Sequence, residues 1–103
     1  MSHHVYIVRC ANGALYTGYA MDVAVRVQKH NQGNGAKYTR MNGPVKLLVS
    51  WEVASRIEAL KLEQRIKRLS RPQKLALVAG RATLPSVAGL PDSAIWKKRR
   101  ARR

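Results

Sequence analysis

Five residues of this 103-residue chain have side chains suited to phosphate chemistry: Tyr6, Tyr16, Arg26, His30 and Glu63. The two tyrosines stand in Val5-Tyr6-Ile7 and Tyr16-Thr17-Gly18, ten residues apart around an Asn12-Gly13 turn signal. A phenol can hydrogen-bond water or a phosphate oxygen. Arg26 and His30 are spaced i, i+4, so a helix would place them on one side. A guanidinium there needs an anion, and the chain has only five acids of its own; a phosphate oxygen suits its planar fork. Glu63 falls within the apolar arc of a further helix, between Ala59 and Leu60, with Glu58 just outside it. A carboxylate on a buried face is costly unless it meets a cation, a metal or several donors. Each residue also has a plain structural reading. Strand tyrosines usually pack, a histidine on a helix face is more often a satisfied core residue, and Glu63 at the rim would reach water beside an arginine. Gly18 weighs against the plain reading of the tyrosines, because a strand glycine often marks close approach by another backbone or a ligand.

The elements that must position these groups are legible in outline. Val5 to Val8 and Leu15 to Tyr19 read as strands, rich in β-branched and aromatic residues. Two turns can join them. A two-residue type I′ turn at Asn12-Gly13 pairs Arg9 with Tyr16 and sends Tyr6 and Tyr16 to opposite faces. A three-residue loop, Ala11-Asn12-Gly13, closed by Gly13 in a left-handed conformation, pairs Val8 with Tyr16 and Tyr6 with Gly18, so the phenols share a face. The residues permit either, and a common site requires the second. Asp22 reads as the cap of a helix to about Asn31, with Val23 and Val27 on its inner side, and Asn31-Gln32-Gly33-Asn34-Gly35 breaks it. Val45 to Trp51 reads as a third strand with Val45, Leu47, Val49 and Trp51 on one face. Ser55 caps a second helix to about Leu69, and Ser70 a third that ends near Gly80. The order β-β-α-β-α-α predicts an α+β domain: a small, largely antiparallel three-stranded sheet flanked by about three helices.

Length and charge bound what such a domain can do. One modest core, over residues 1–80, fits the length. Lys and Arg number 20 for a net charge of +15, which favours a polyanionic partner, nucleic acid first. Residues 1–80 carry thirteen bases against four acids, so the excess is not confined to the basic segment 81–103, which reads as a flexible tail. No apolar run is long enough to span a bilayer, and the N-terminus lacks a signal peptide's apolar stretch. Cys10 is the single cysteine, consistent with a reducing cytoplasm, and reads as a small, partly buried hydrophobe. His3 and His4 lack a spaced partner for a metal site, and no P-loop is present.

Taken together, Val5-Tyr6-Ile7, Tyr16-Thr17-Gly18, Arg26-Val27-Gln28-Lys29-His30-Asn31 and Glu58-Ala59-Leu60-Lys61-Leu62-Glu63 resemble the motifs of the GIY-YIG nuclease superfamily. Gly35-Ala36-Lys37-Tyr38-Thr39-Arg40 and Ile66-Lys67-Arg68-Leu69-Ser70 resemble its small single-domain bacterial members, the UPF0213 proteins. The likeness covers roughly residues 3–80. Val5 stands where the first motif has Gly, and Thr17 replaces the middle Ile of the second. Some members use an Asn after the glutamate helix; no Asn follows Asn42, so that role is absent or filled otherwise. The resemblance implies the GIY-YIG endonuclease fold and hydrolysis of phosphodiester bonds in DNA, structured or branched, in a DNA-repair setting. It implies one divalent metal, Mg2+ or Mn2+, held by Glu63. Arg26 would neutralise a phosphate oxygen, Tyr6 or Tyr16 would orient the attacking water with one of them as base (motif order points to Tyr16, with Tyr6 positioning water or phosphate), and His30 would accept or relay the proton. Lys29, Lys37, Tyr38, Thr39 and Arg40 are the expected contacts to nucleic-acid backbone. The alternative is a non-catalytic nucleic-acid-binding module on the same scaffold.

Overall fold

The computed structural model describes residues 3–32, 43–82 and 97–100. His3–Cys10 (β1) and Leu15–Ala20 (β2) form an antiparallel hairpin, and Val45–Val53 (β3) pairs antiparallel with the other side of β1. β1 is therefore central, and its Val5, Tyr6, Ile7 and Val8 are all buried. Helix α1 (Val23–Asn31) covers one face of this sheet, while α2 (Arg56–Lys67) and α3 (Arg71–Ala79) cover the other. The expected three antiparallel strands and three helices are present in the expected order.

Each helix begins where a side chain can satisfy an otherwise unpaired backbone N–H. Asp22 Oδ1 accepts from Val25 N at 3.1 Å, and Ser55 Oγ accepts from Glu58 N at 3.2 Å. Ser70 accepts from Gln73 N, while Gln73 Oε1 accepts from Ser70 N at 2.9 Å. Gly80 ends α3 at φ 77°, a conformation that costs glycine nothing.

The hairpin adopts the three-residue loop. Cys10 N donates to Ala14 O at 2.8 Å, Gly13 N donates to Cys10 O at 2.9 Å, and Gly13 sits at φ 85°. Asn12 Oδ1 accepts from Ala14 N at 3.0 Å and stiffens the turn. The resulting register pairs Tyr6 with Gly18 and Val8 with Tyr16. Both phenols rise from the α1 face.

Three features differ from the sequence reading. The first is in β3, whose apolar residues do not share a face. Its register against β1 shifts between Ile7 and Val8, which pair with Val49 and Leu47. The extra residue, Leu48, is a β-bulge that reverses the alternation. Val45 and Leu47 join Val8 and Cys10 under α1, whereas Val49, Trp51 and Val53 join Val5 and Ile7 under α2 and α3. The second is Leu60, which lies 38% exposed rather than in the apolar arc. Ala59, Leu62 and Ile66 form the buried stripe, and it is narrower than the arc drawn from periodicity. The third is a short fourth strand: Lys97–Arg100 (β4) pairs antiparallel with β3, Val49 to Arg100 and Glu52 to Lys97, giving the order β2-β1-β3-β4. Backbone pairing along an open edge does not need the alternating pattern that marks a half-buried strand, so four consecutive cations carried no strand signal.

Candidate active site

Tyr6 and Tyr16 converge on His30 from the two strands of the hairpin. The Tyr6 hydroxyl lies 2.9 Å from His30 Nε2, in a buried contact. The Tyr16 ring meets the same imidazole edge-on, with ring centroids 5.7 Å apart and planes at 69°. The Tyr6 ring stands at 6.1 Å and 62°. His30 is buried at the C-terminal turn of α1, and Asn31 fixes that turn to the sheet. Asn31 Oδ1 accepts from Val45 N at 2.6 Å, and its Nδ2 donates to Val45 O at 3.2 Å. The side chain thus takes the place of a neighbouring strand at the start of β3. Sequence reasoning saw Asn31 as a helix breaker only; the signal available was an amide-bearing residue beside a candidate histidine.

Gly18 makes room for the Tyr6 ring. A Cβ at Gly18 would stand 2.5 Å from Tyr6 Cζ and would collide with the hydroxyl as well. Any side chain at this register partner would push the phenol off His30. The strand glycine therefore accommodates another side chain of the same site.

The electrostatics tie Arg26 and Glu63 to the phenols. Burial pushes the Tyr6 hydroxyl far above the usual phenol pKa; Tyr16 and Glu63 push the same way and Arg26 opposes them. Burial also raises Tyr16, followed by Glu63, again against Arg26. His30 is held below its ordinary value by burial first and then by Arg26. The expectation that nearby positive charge favours phenolate meets a stronger opposing effect, because Arg26 is exposed and loses to desolvation. Both phenols and the imidazole are thus neutral at neutral pH. The Tyr6–His30 contact is then an O–H donating to a bare Nε2, or an Nε2–H donating to the phenol oxygen in the other tautomer.

Glu63 sits at the rim of the α2 stripe with its side chain 13% exposed. Lys67, one turn on and 42% exposed, stands 3.8 Å from Glu63 Oε2. That is a long contact with a solvated partner, so the carboxylate keeps lone pairs for another cation. Mg2+ is commonly held by one or two carboxylates, its other positions taken by water and phosphate oxygens. A single accessible carboxylate fits that ligation, and no group of three or more His, Cys, Asp or Glu residues among the described residues forms an all-protein cage. The other α2 acid behaves differently: Glu58 Oε2 is buried with no hydrogen-bond partner among the described residues.

The remaining candidates separate. Lys29 is exposed on α1, one residue before His30. Lys37, Tyr38, Thr39 and Arg40 lie outside the described residues. His3 Nδ1 pairs with the Tyr19 hydroxyl at 2.7 Å on the opposite sheet face, away from the cluster. Cys10 is buried, and burial raises its thiol pKa, as befits a packed hydrophobe.

The chain resembles known proteins over most of its length. The family model of the GIY-YIG catalytic domain matches residues 2–76. A UPF0213 protein of Staphylococcus aureus is 52% identical over 80 residues, covering 78% of this chain and 98% of that protein. The solution structure of a UPF0213 protein from Bacillus halodurans aligns with TM-score 0.50 at 48% identity, over 77% of this chain and 84% of its own. The solution structure of a protein from E. faecalis aligns with TM-score 0.54 at 36% identity, over 78% and 85%.

Proposed function

This chain belongs to the GIY-YIG nuclease family, and from that premise we propose that it is a divalent-metal-dependent endonuclease that hydrolyses phosphodiester bonds in DNA. The observation that carries the reading is the convergence of Tyr6, Tyr16 and His30 within electrostatic reach of Arg26 and Glu63. Packing alone does not require a guanidinium and a carboxylate to flank two phenols.

The roles follow from exposure and charge. Tyr6 is buried and anchored on His30, so it holds the imidazole and orients the site. Tyr16 is only half-buried, which leaves it the phenol able to meet an attacking water. It hydrogen-bonds that water as the base, and His30, kept neutral by burial and Arg26, stands edge-on beside it to relay the proton. Arg26, exposed beside both, neutralises a non-bridging phosphate oxygen. Glu63 would hold the Mg2+ or Mn2+ ion. When bound, that ion supplies charge stabilisation at phosphorus and at the leaving oxygen. It would also add positive charge near the phenols, on the side that Arg26 already favours.

The test is Mg2+-dependent cleavage of plasmid, forked and single-stranded DNA by the protein and by Glu63→Ala. The expected result is cleavage by the wild type alone, with DNA binding retained in both. Equal cleavage by the two would remove the carboxylate from the reaction. A second reading, a nucleic-acid-binding module without catalysis, draws on one observation: burial holds both phenols protonated. Binding by the wild type without turnover, across substrate shapes and both metals, would establish it. DNA-repair substrates such as forks belong in the same series, and a cytoplasmic location fits the lone reduced cysteine.

A further inference from the structure

A second basic surface lies at the hairpin end of the sheet, on the face opposite the phenols. In the register, Arg9 pairs with Leu15 on one side and Lys46 on the other. Leu15 packs with the α2 and α3 cluster, which fixes the side of the sheet to which Arg9 and Lys46 belong. Both cations are exposed. Like charges directly across a strand pair destabilise it. Arg71, at the start of α3, adds a third: its Nη1 donates to Gly13 O at 2.9 Å, across 58 residues of sequence. One donor is spent on the turn carbonyl, which pins the guanidinium and leaves its other N–H groups for a ligand. Lys74 follows one turn later, and the first turn of α3 has no acid. Among the described residues the acids are Asp22, Glu52, Glu58 and Glu63. None is in the hairpin, and Glu52 lies at the other end of β3, opposite His4.

We propose that Arg9, Lys46 and Arg71 form a phosphate-binding patch that holds nucleic-acid backbone at the hairpin end, behind the catalytic face. The proposal rests on the reading of the protein as one that acts on nucleic acid, and names where the backbone runs. A backbone phosphate between Arg9 and Lys46 converts their repulsion into shared attraction, and the fixed Arg71 sets its register. Such contacts read charge and not sequence.

The test measures binding of duplex DNA, and in a parallel arm duplex RNA of equal length, over a salt series. The proteins are the full chain, Arg9→Gln/Lys46→Gln, and a control with two charges removed elsewhere, Arg56→Gln/Lys61→Gln. Each lost phosphate contact reduces the slope of log affinity against log salt by about 0.9. The patch variant should lose about one slope unit and roughly tenfold in affinity near 0.1 M salt, on DNA and RNA alike. The control should lose less than half as much. In cleavage, the patch variant should raise KM and leave kcat within about twofold. Wild-type binding with an unchanged slope in the patch variant overturns the patch and leaves the nuclease reading standing. Equal losses in patch variant and control also overturn it, since affinity would then follow net charge alone. Wild-type binding without cleavage overturns the nuclease reading, and the slopes still decide the patch. Absence of wild-type binding overturns both.

Discussion

The two faces of one strand do opposite jobs. Val5 and Ile7 of β1 point into a dense apolar layer with Val49, Trp51, Leu62 and Ile66, all essentially without exposure. Tyr6, between them, points the other way, into a thinner layer where a phenol, an imidazole and a second phenol meet under a single helix. The α2–α3 face holds the domain together. The α1 face holds polar groups at distances set by that domain, and it has less apolar area with which to stabilise anything. Alternation along a strand lets eight residues serve both ends without compromise, because adjacent side chains never compete for the same neighbours.

Adjacent substitutions should break this division most sharply. Ile7→Ala is expected to cost about 2–5 kcal/mol in chemical denaturation, a large share of a small domain's stability, with little change in kcat for the fraction that stays folded. Tyr6→Phe should do the reverse: with His30 no longer anchored, cleavage falls by roughly 10²-fold under single-turnover conditions, while stability moves by about 1 kcal/mol for the lost contact to His30. If Tyr6→Phe destabilises as much as Ile7→Ala, the two faces are not functionally distinct. Gly18→Ala comes next. The added methyl must displace the Tyr6 ring, so about 1–3 kcal/mol of stability should be lost together with most of the cleavage. Wild-type activity in that variant would show the ring position to be unimportant.

A smaller effect is expected from acid. His30 is buried with its pKa lowered, so the unfolded chain binds a proton that the folded state resists. Stability is therefore full above about pH 6.5 and falls, by at most about 1.4 kcal/mol per pH unit, as pH drops from there toward the depressed folded value. Urea midpoints of wild type and His30→Gln between about pH 7.5 and pH 5 measure it; a parallel decline in the two would assign the loss to other groups. The smallest expected change is a gain on the apolar face. Thr17 is 2% exposed and its Oγ1 has no hydrogen-bond partner among the described residues. Thr17→Val should stabilise by about 1 kcal/mol, read as a rise in the urea midpoint with cleavage intact.

How much of this was legible in the sequence depended on the range of the interaction. Caps and turns are local, so Asp22, Ser55, Ser70 and Gly80 marked their helix ends correctly, and the hairpin had two solutions of which the structure takes one. The β3 bulge was not legible, since Leu48 looks like any other strand residue until β1 is laid beside it. The half-buried rim position of Glu63 was legible only as a conflict with its helix stripe. Its long contact with Lys67 and its influence on both phenols depend on how α2 crosses the hairpin, a tertiary fact. Asn31 was misread for the same reason, because its partner, Val45, lies fourteen residues on.

The strand Lys97–Arg100 has a consequence for molecules in company. It lies along the outer side of β3, where the backbone would otherwise offer unpaired groups to any passing strand. The new rim is written in four consecutive cations. Between Val49 and Glu52 that side of the β3 backbone is already paired, so a strand of a second copy meets no unpaired β3 groups there.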